Sequence, residues 1–552
     1  MTQQLRPILE VGKGLGLLES EIISYGPYKA KVSLDALNRL RDRPDGKLVV
    51  VTAITPTRAG EGKTTSAISL TQGLGRIGVN VALCLRQPST GPLFGIKGGG
   101  TGGGKAQVVP MEEINLHFNG DIHAVEAAHN LLAAVIDAAI FHGQLQAGPS
   151  FITWPRTLDV NDRALRHIVT GLGGVEHGVP MESSFVIAAA SELMAILALA
   201  RDLPDLRARI ARIIVTQRKD GSFVTTEDLR VAGAMTVLMK EALLPNLVQT
   251  MEGQPALIHA GPFGNIAHGN NSLLADQIAL KLADIVVTEA GFGADLGAEK
   301  YMDIKARIAD VAPSAVVVVA TVRALKMHGG VPKDRLTQPD LEALQAGVAN
   351  LRRHVHNVEK FGVTPVVAIN RFSSDTAEEL DWLLEWCAAE GVQAAVADVW
   401  GRGGGGDGGD ELAAKVAAAV AAAVAAPNSF HHLYPLELPV EEKIRTIAQE
   451  IYGADGVDFS VPALKRLADI EKNGWSGLPV CMAKTQYSFT DDASRFGAPK
   501  GFTIHVRDLI PKTGAGFIVA LTGAVMTMPG LPAAPAAMRM DVDDAGNPVG
   551  LS

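Results

Sequence analysis

Eight short runs in this chain, "KLVVVTAI", "VNVALCL", "ARIIVT", "PALIHAG", "ADIVVTEAG", "AVVVVAT", "TPVVAIN" and "VQAAVADVW", are almost continuously apolar, and turn or polar residues punctuate them. Helically periodic stretches separate most of them. A strand that is apolar at successive positions has no face to offer water, so it belongs in a sheet covered on both sides. Strands linked through helices run parallel. The expected fold class is therefore α/β, a parallel sheet with helices on both faces. Ligands of such sheets bind beyond the carboxyl ends of the strands, so the residues just after each run are the first candidates for function.

The first run leads into "VVVTAITPTRAGEGKTTSAIS", Val49 to Ser69. A strand over 48–54, a loop over 55–62, a helix from 63 and a strand over 79–85 make one βαβ unit, the signature of a P-loop NTPase-like core. Gly60 and Gly62 let backbone N–H groups turn inward, and the helix N-terminus adds its positive end. Lys63 would neutralise phosphate oxygens and the Thr64 hydroxyl would ligate Mg²⁺. The expected phosphate cradle is Thr57, Arg58, Ala59, Gly60, Glu61, Gly62, Lys63 and Thr64. The usual P-loop spelling has Gly six residues before the Lys, whereas this chain has Thr57. Arg86 ends the second strand of the unit, expected beside the loop and one strand over, either as an anion-binding group or in a surface ion pair. Glu289 and Asp295, in "VTEAGFGADLG", follow another strand and are candidates either for the metal or for a hydrogen-bonded structural role. His123 and His129 lie six apart on an expected helix, a spacing that suits packing better than a two-His metal site.

At 552 residues, of which 47% are hydrophobic, the chain can bury more than one core. Three sections are expected: a nucleotide-binding domain over 1–300, a second α/β domain over 301–426, and a smaller C-terminal domain over 427–552. The net charge of −9 offers no field for nucleic acid. Cys84, Cys387 and Cys481 are far apart, which fits a reducing cytosol and neither a disulfide framework nor a thiolate metal site. The N-terminus lacks a signal-like apolar core, and the Ala-rich tract from Leu412 to Pro427 contains Lys415 and reads as a packed helix, so no membrane is expected. Two glycine-dense segments, Gly95–Lys105 and Trp400–Glu411, are either linkers or ligand loops.

Longer motifs carry a family resemblance. "TRAGEGKTT", "RQPSTGPLFGIKGGGTGGG", "AQVVPMEEINLHFNGDIHAVEAAHNLLAA", "PNLVQTMEGQPALIHAGPFGNIAHGNNS", "VTEAGFGADLGAEKYMDIKAR", "VRALKMHGG", "PVVAINRF", "EKIRTIAQEIYGADGV", "LPVCMAKTQYS" and "MTMPGLPAAPAA" resemble formate–tetrahydrofolate ligase, in family order and from about Gly26 to Gly550. The resemblance implies that ATP activates formate as formyl phosphate and that N10 of tetrahydrofolate then takes the formyl group, giving 10-formyltetrahydrofolate, ADP and phosphate. The family's loop also lacks the first Gly. Arg86 matches the family's arginine on formyl phosphate. Phe372 in "INRF" and Trp400 in "DVW" match the aromatic pair that sandwiches the pterin. Mg²⁺ with ATP, activation by K⁺ or NH₄⁺, a homotetramer and a cytoplasmic location are further family expectations.

The chain departs from the family pattern at Arg58, Gln87, Lys105, Val186 and Ala188, where the family carries Pro, Glu, an aromatic, Asp and Thr. Three of these changes make the phosphate region more positive. They bear on catalytic rate and on the identity of the acid. Two rival readings stand beside the resemblance: a P-loop ligase that activates another small carboxylate, and a nucleotide-switch or scaffold protein.

Overall fold

The structure is a computed structural model describing residues 5–57, 60–95, 99–145, 153–218, 220–399, 407–425, 429–523 and 525–551. Its centre is a sheet of 12 strands. In chain order these are β1 (Ile22–Ser24), β2 (Ala30–Val32), β3 (Lys47–Ala53), β4 (Val81–Leu85), β5 (Gly102–Gly103), β6 (Ala106–Val109), β7 (Asn246–Thr250), β8 (Pro255–Ile258), β9 (Ile285–Glu289), β10 (Ala315–Ala320), β11 (Pro365–Asn370) and β12 (Gln393–Ala397). In space the order is β1-β2-β7-β8-β4-β9-β3-β10-β11-β12, with β6 also on β7 and β5 on β6.

From β8 to β12 every neighbouring pair is parallel, while β1, β2 and β7 extend the other edge in antiparallel register. The period of two along β3 shows why the parallel part is continuously apolar. Leu48 and Val50 enter one hydrophobic cluster, and Val49, Val51 and Ala53 enter another on the opposite face. Strand β10 divides in the same way, with Val316 and Val318 on one side and Val317 and Val319 on the other.

One face is covered by helices Leu273–Leu282 and Leu341–Glu359, the other by helices Lys63–Arg76 and Asp407–Ala425. The Ala-rich tract is thus a packed helix that lays Leu412, Ala413, Val416 and Ala419 on the sheet. Helix Asp121–Phe141 is long and apolar enough to cross a membrane by length and composition, yet it carries Asp121, Glu126 and Asp137, and its Val125, Ala128, Leu132 and Ile136 pack into a third cluster.

The expectation for "ARIIVT" is corrected. Its strand, Ile214–Gln217, lies outside the central sheet and pairs antiparallel with Phe223–Thr225. The turn between them explains the hairpin, because Arg218 N–H bonds the Ser222 carbonyl at 2.7 Å and Gly221 takes φ 85°. Near the C-terminus, β13 (Gly456–Phe459), β14 (Val480–Ala483), β15 (Thr503–Lys512) and β16 (Phe517–Thr522) form a second sheet in the order β13-β15-β16-β14. Residues of both sheets, such as Val318, Ile504 and Ile518, share one buried cluster.

Candidate active site

The strand order decides which side chains meet. Arg86 follows β4, Glu289 closes β9, the loop over 54–62 follows β3, Thr321 follows β10 and Asn370 closes β11, all at carboxyl ends of parallel strands. Strand β9 pairs with both β3 and β4 and separates them. The expectation that Arg86 stands one strand from the phosphate loop is therefore corrected to two. The gap is where the carboxylate of Glu289 sits.

The loop starts under heavy restraint. The Thr55 N–H bonds Asn350 Oδ1 at 3.3 Å, its hydroxyl bonds His354 Nε2 at 2.9 Å, and its carbonyl accepts from His328 Nε2 at 2.9 Å. Burial pushes His354 down to about 3, so it is neutral at physiological pH. Further along, Gly60 and Gly62 adopt φ of 77° and 70°, conformations that side chains disfavour. A Cβ on Gly62 would also lie 2.4 Å from Asn370 Nδ2.

Glu61, between these glycines, is turned inward and 5% exposed. Its Oε1 accepts the Thr57 N–H at 2.7 Å, its Oε2 accepts the Thr321 hydroxyl at 2.7 Å, and its carbonyl accepts Asn370 Nδ2 at 3.0 Å. A buried side chain thus closes the loop at the position where the usual spelling has a glycine. Arg58 and Ala59 lie outside the described residues.

Across the gap, Glu289 Oε2 accepts the Thr64 hydroxyl at 2.6 Å and Oε1 pairs with Arg86 Nη2 at 3.2 Å. Burial alone pushes the Glu289 carboxyl up, but Arg86, Lys63 and the Thr64 hydroxyl outweigh it and hold the group below its ordinary value. Lys63 Nζ donates to the Phe292 carbonyl at 3.2 Å, and Arg86 Nη1 to that of Pro262 at 3.4 Å. Among the described residues the buried Arg86 Nε meets no hydrogen-bond acceptor. Lys63, Thr64, Arg86 and Glu289 thus form one cluster with two cations at the helix N-terminus.

Thr64 Oγ1 and the Glu289 carboxylate are hard oxygen donors of the kind Mg²⁺ takes. Among the described residues no group of three or more His, Cys, Asp or Glu could hold a metal. Asp295 is oriented elsewhere. It is fully buried and paired with the equally buried Lys484 at 2.8 Å.

On the other side of the loop, Phe372 is half-buried two residues past Asn370. Its N–H bonds Asp375 Oδ2 at 2.8 Å, and the guanidinium of Arg323 lies over its ring, with Cζ 3.6 Å from the centroid. Trp400 lies outside the described residues. His129 is a packing residue, stacked on Trp154, bonded to Ser191 and Pro155 and pushed by burial down to about 3, while His123 is exposed. Of the departures, Gln87 is buried with its Oε1 unpartnered among the described residues, Lys105 is exposed, Val186 pairs with Thr157, and Ala188 is buried. Sequence reasoning missed Thr321, Arg323 and Asn370 as site residues. The first two flank the start of "VRALKMHGG" and the third stands in "PVVAINRF", so position at or just beyond a strand end was a usable signal for all three.

The family model for Formate–tetrahydrofolate ligase matches residues 1–552. The Formate–tetrahydrofolate ligase of Arthrobacter sp. (strain FB24) is 66% identical over 552 residues, spanning 99% of this chain and 97% of that protein. That of Renibacterium salmoninarum is 59% identical over 559 residues, spanning 99% and 97%. That of Staphylococcus aureus (strain NCTC 8325 / PS 47) is 54% identical over 548 residues, with the same shares.

Proposed function

This chain belongs to the formate–tetrahydrofolate ligase family, and from that premise we propose how its own residues perform the reaction. The chain is an ATP-dependent ligase that joins formate to tetrahydrofolate. The observation that carries the residue assignment is Glu289 bonded at once to Thr64 and Arg86, which makes the phosphate loop and the arginine one charged pocket.

The loop from Thr57 to Thr64, Arg58 and Ala59 included, holds the ATP phosphates, and the positive φ of Gly60 and Gly62 gives its backbone the turn that lets N–H groups face an anion. A formate oxygen attacks the γ-phosphorus, the bond to ADP breaks, and formyl phosphate forms. Phosphoryl transfer needs charge neutralisation and alignment, and Lys63 supplies the first. Arg86 grips the acyl phosphate, because a planar guanidinium fork matches two phosphate oxygens where an ammonium is a point charge. N10 of tetrahydrofolate then attacks the formyl carbon, phosphate leaves with the bonding electrons, and N10 gives up its proton. Thr64 and Glu289 would hold Mg²⁺, which would spread the negative charge of the phosphates. The geometry favours Glu289 over Asp295 for that role.

Phe372 and Trp400 stack on opposite faces of the pterin. Replacing either ring by Ala should weaken tetrahydrofolate binding roughly tenfold to a hundredfold, by analogy with base–aromatic stacking, and leave ATP affinity unchanged. Sections 1–300, 301–426 and 427–552 then serve as nucleotide, folate and closing units. Activation by K⁺ or NH₄⁺, assembly as a homotetramer and a cytoplasmic location complete the reading; salt titration of activity and light scattering check the first two. The direct test of the function is an assay for 5,10-methenyltetrahydrofolate after acid treatment, omitting ATP, formate and tetrahydrofolate in turn. Signal that persists without formate would replace this reading with a ligase for another carboxylate. ATP hydrolysis indifferent to formate and folate would replace it with a nucleotide switch.

A further inference from the structure

Phe372 does not stand alone. The Arg323 Cζ lies 3.6 Å from its ring centroid, too near for contact at the ring edge, so the guanidinium covers one face. Among the described residues the buried Arg323 Nε meets no hydrogen-bond acceptor, which leaves the ring as a principal partner of that end of the guanidinium. Both members of the stack are tied back to the phosphate loop. Arg323 follows Thr321, whose hydroxyl caps helix Val322–His328 by accepting the Ala324 N–H at 3.1 Å and donates to Glu61 Oε2 at 2.7 Å. Phe372 follows Asn370, whose Nδ2 donates to the Glu61 carbonyl at 3.0 Å. The circuit Glu61–Thr321–Arg323–Phe372–Asn370–Glu61 is closed, and its loop member stands between the two glycines that shape the phosphate cradle.

We propose that Arg323 is a positioning residue for the folate ring: it backs Phe372 on one face so that the pterin stacks on the other, and the circuit through Glu61 sets that ring plane relative to the phosphate loop. The inference rests on Phe372 being a folate contact. A phenyl ring held from behind is pre-organised for the flat ligand, so less freedom is lost when the ligand binds. The requirement is geometric, because N10 must meet a formyl carbon whose phosphate is held by the loop, and a small error in relative placement is costly.

The test is equilibrium titration of tetrahydrofolate and of ATP into Arg323→Ala, Arg323→Lys, Phe372→Ala and the Arg323→Ala/Phe372→Ala pair, together with steady-state KM and kcat. Arg323→Ala should weaken tetrahydrofolate roughly three- to tenfold, the range of a partly desolvated cation–π contact, with ATP affinity unchanged. Arg323→Lys should recover part of the loss, since it keeps the cation without the flat fork. The double variant should bind no worse than Phe372→Ala, because Arg323 acts through the ring. Wild-type folate affinity in Arg323→Ala, beside a weakened Phe372→Ala, would overturn the positioning role alone. Unchanged affinity in Phe372→Ala would instead overturn the folate assignment beneath it. Equal losses for ATP and tetrahydrofolate would place Arg323 in the fold and overturn the proposal. Repeating the titration with tetrahydropteroate, which lacks the glutamate, should give the same ratio; a ratio that falls to one would make Arg323 a contact for the tail carboxylates instead.

Discussion

Glu289 and Glu299 stand ten residues apart, 4% and 0% exposed, and burial drives both carboxyls toward the neutral form. They respond in opposite directions. Glu289 receives the Thr64 hydroxyl on one oxygen and the Arg86 guanidinium on the other, with Lys63 close by, and is held below its ordinary value. Among the described residues neither oxygen of Glu299 accepts from a cation, an N–H or a hydroxyl, and its carboxyl lies near those of Asp303 and Asp295, so burial and these charges raise it well above, Lys300 and Arg307 notwithstanding. Burial therefore marks neither acid as functional. What distinguishes them is which donors the fold directs at the carboxylate: beside the phosphate loop the Thr64 hydroxyl and the Arg86 guanidinium bond the Glu289 oxygens directly, whereas Lys300 and Arg307 act on Glu299 through charge alone, against two neighbouring acids.

The largest effect should come from removing one of the cations beside Glu289. Lys63→Ala should lower turnover about a hundredfold or more, the usual cost of losing a contact that neutralises transition-state charge, while leaving the fold intact. A variant keeping more than about a tenth of wild-type activity at saturating ATP would break the assignment. Arg86→Lys should be nearly as damaging as Arg86→Ala, because Lys keeps the charge and loses the fork. If Arg86→Lys behaves as wild type, the site needs only a positive charge there, and the contrast between Glu289 and Glu299 is one of net charge rather than geometry.

A subtler change should make Glu289 resemble Glu299. In the wild type the depressed Glu289 carboxyl contributes stability that is present above its unfolded value near 4.5 and is lost as pH falls through the lower folded value. Arg86→Ala removes the cation that does most to oppose burial, so the acid limb of stability should move to higher pH. Chemical denaturation of Arg86→Ala and wild type between pH 4 and 7 checks this. Coincident limbs would mean that Lys63 and Thr64 hold the charge without Arg86.

These comparisons also show which parts of the molecule sequence could reveal. The βαβ unit was legible from Val49 to Leu85 because its apolar runs are continuous and its helix opens on Gly-Lys-Thr, patterns that need no distant partner. As candidates, Lys63 and Thr64 were legible because they open a helix after a glycine-spaced loop, Arg86 because it stands just beyond a strand, and Phe372 because it matches the family's aromatic pair. Chain order says nothing of spatial order, however, and the insertion of β9 between β3 and β4 brings Glu289 to residues 225 and 203 positions away. The inward turn of Glu61 was hidden for the same reason, since Thr321 and Asn370 lie 260 and 309 residues from it. The antiparallel edge of β1, β2 and β7 was not expected because short strands carry too little periodicity to declare direction.

The smallest predicted effect concerns the acid outside the site. Glu299 takes up a proton on folding at any pH between its unfolded value near 4.5 and its raised folded value. Its contribution to stability is therefore fully present below about 4.5 and is lost as pH rises through the folded value, at up to about 1.4 kcal/mol per pH unit for one proton. Asp303, raised by burial to about 6, adds to the same trend over a lower window, although Arg307 and the Leu433 N–H oppose the shift. Glu299→Gln keeps the shape of the protonated acid and needs no proton. Turnover should be unchanged, since Glu299 touches none of the groups that hold substrate, and stability should exceed wild type by a margin that widens as pH rises. Urea denaturation of both proteins at pH 6, 7 and 8 measures that margin. A margin that stays flat with pH would show Glu299 in one protonation state across the range, and a loss of stability on substitution would show a charged carboxylate with a partner; either result would erase the contrast with Glu289.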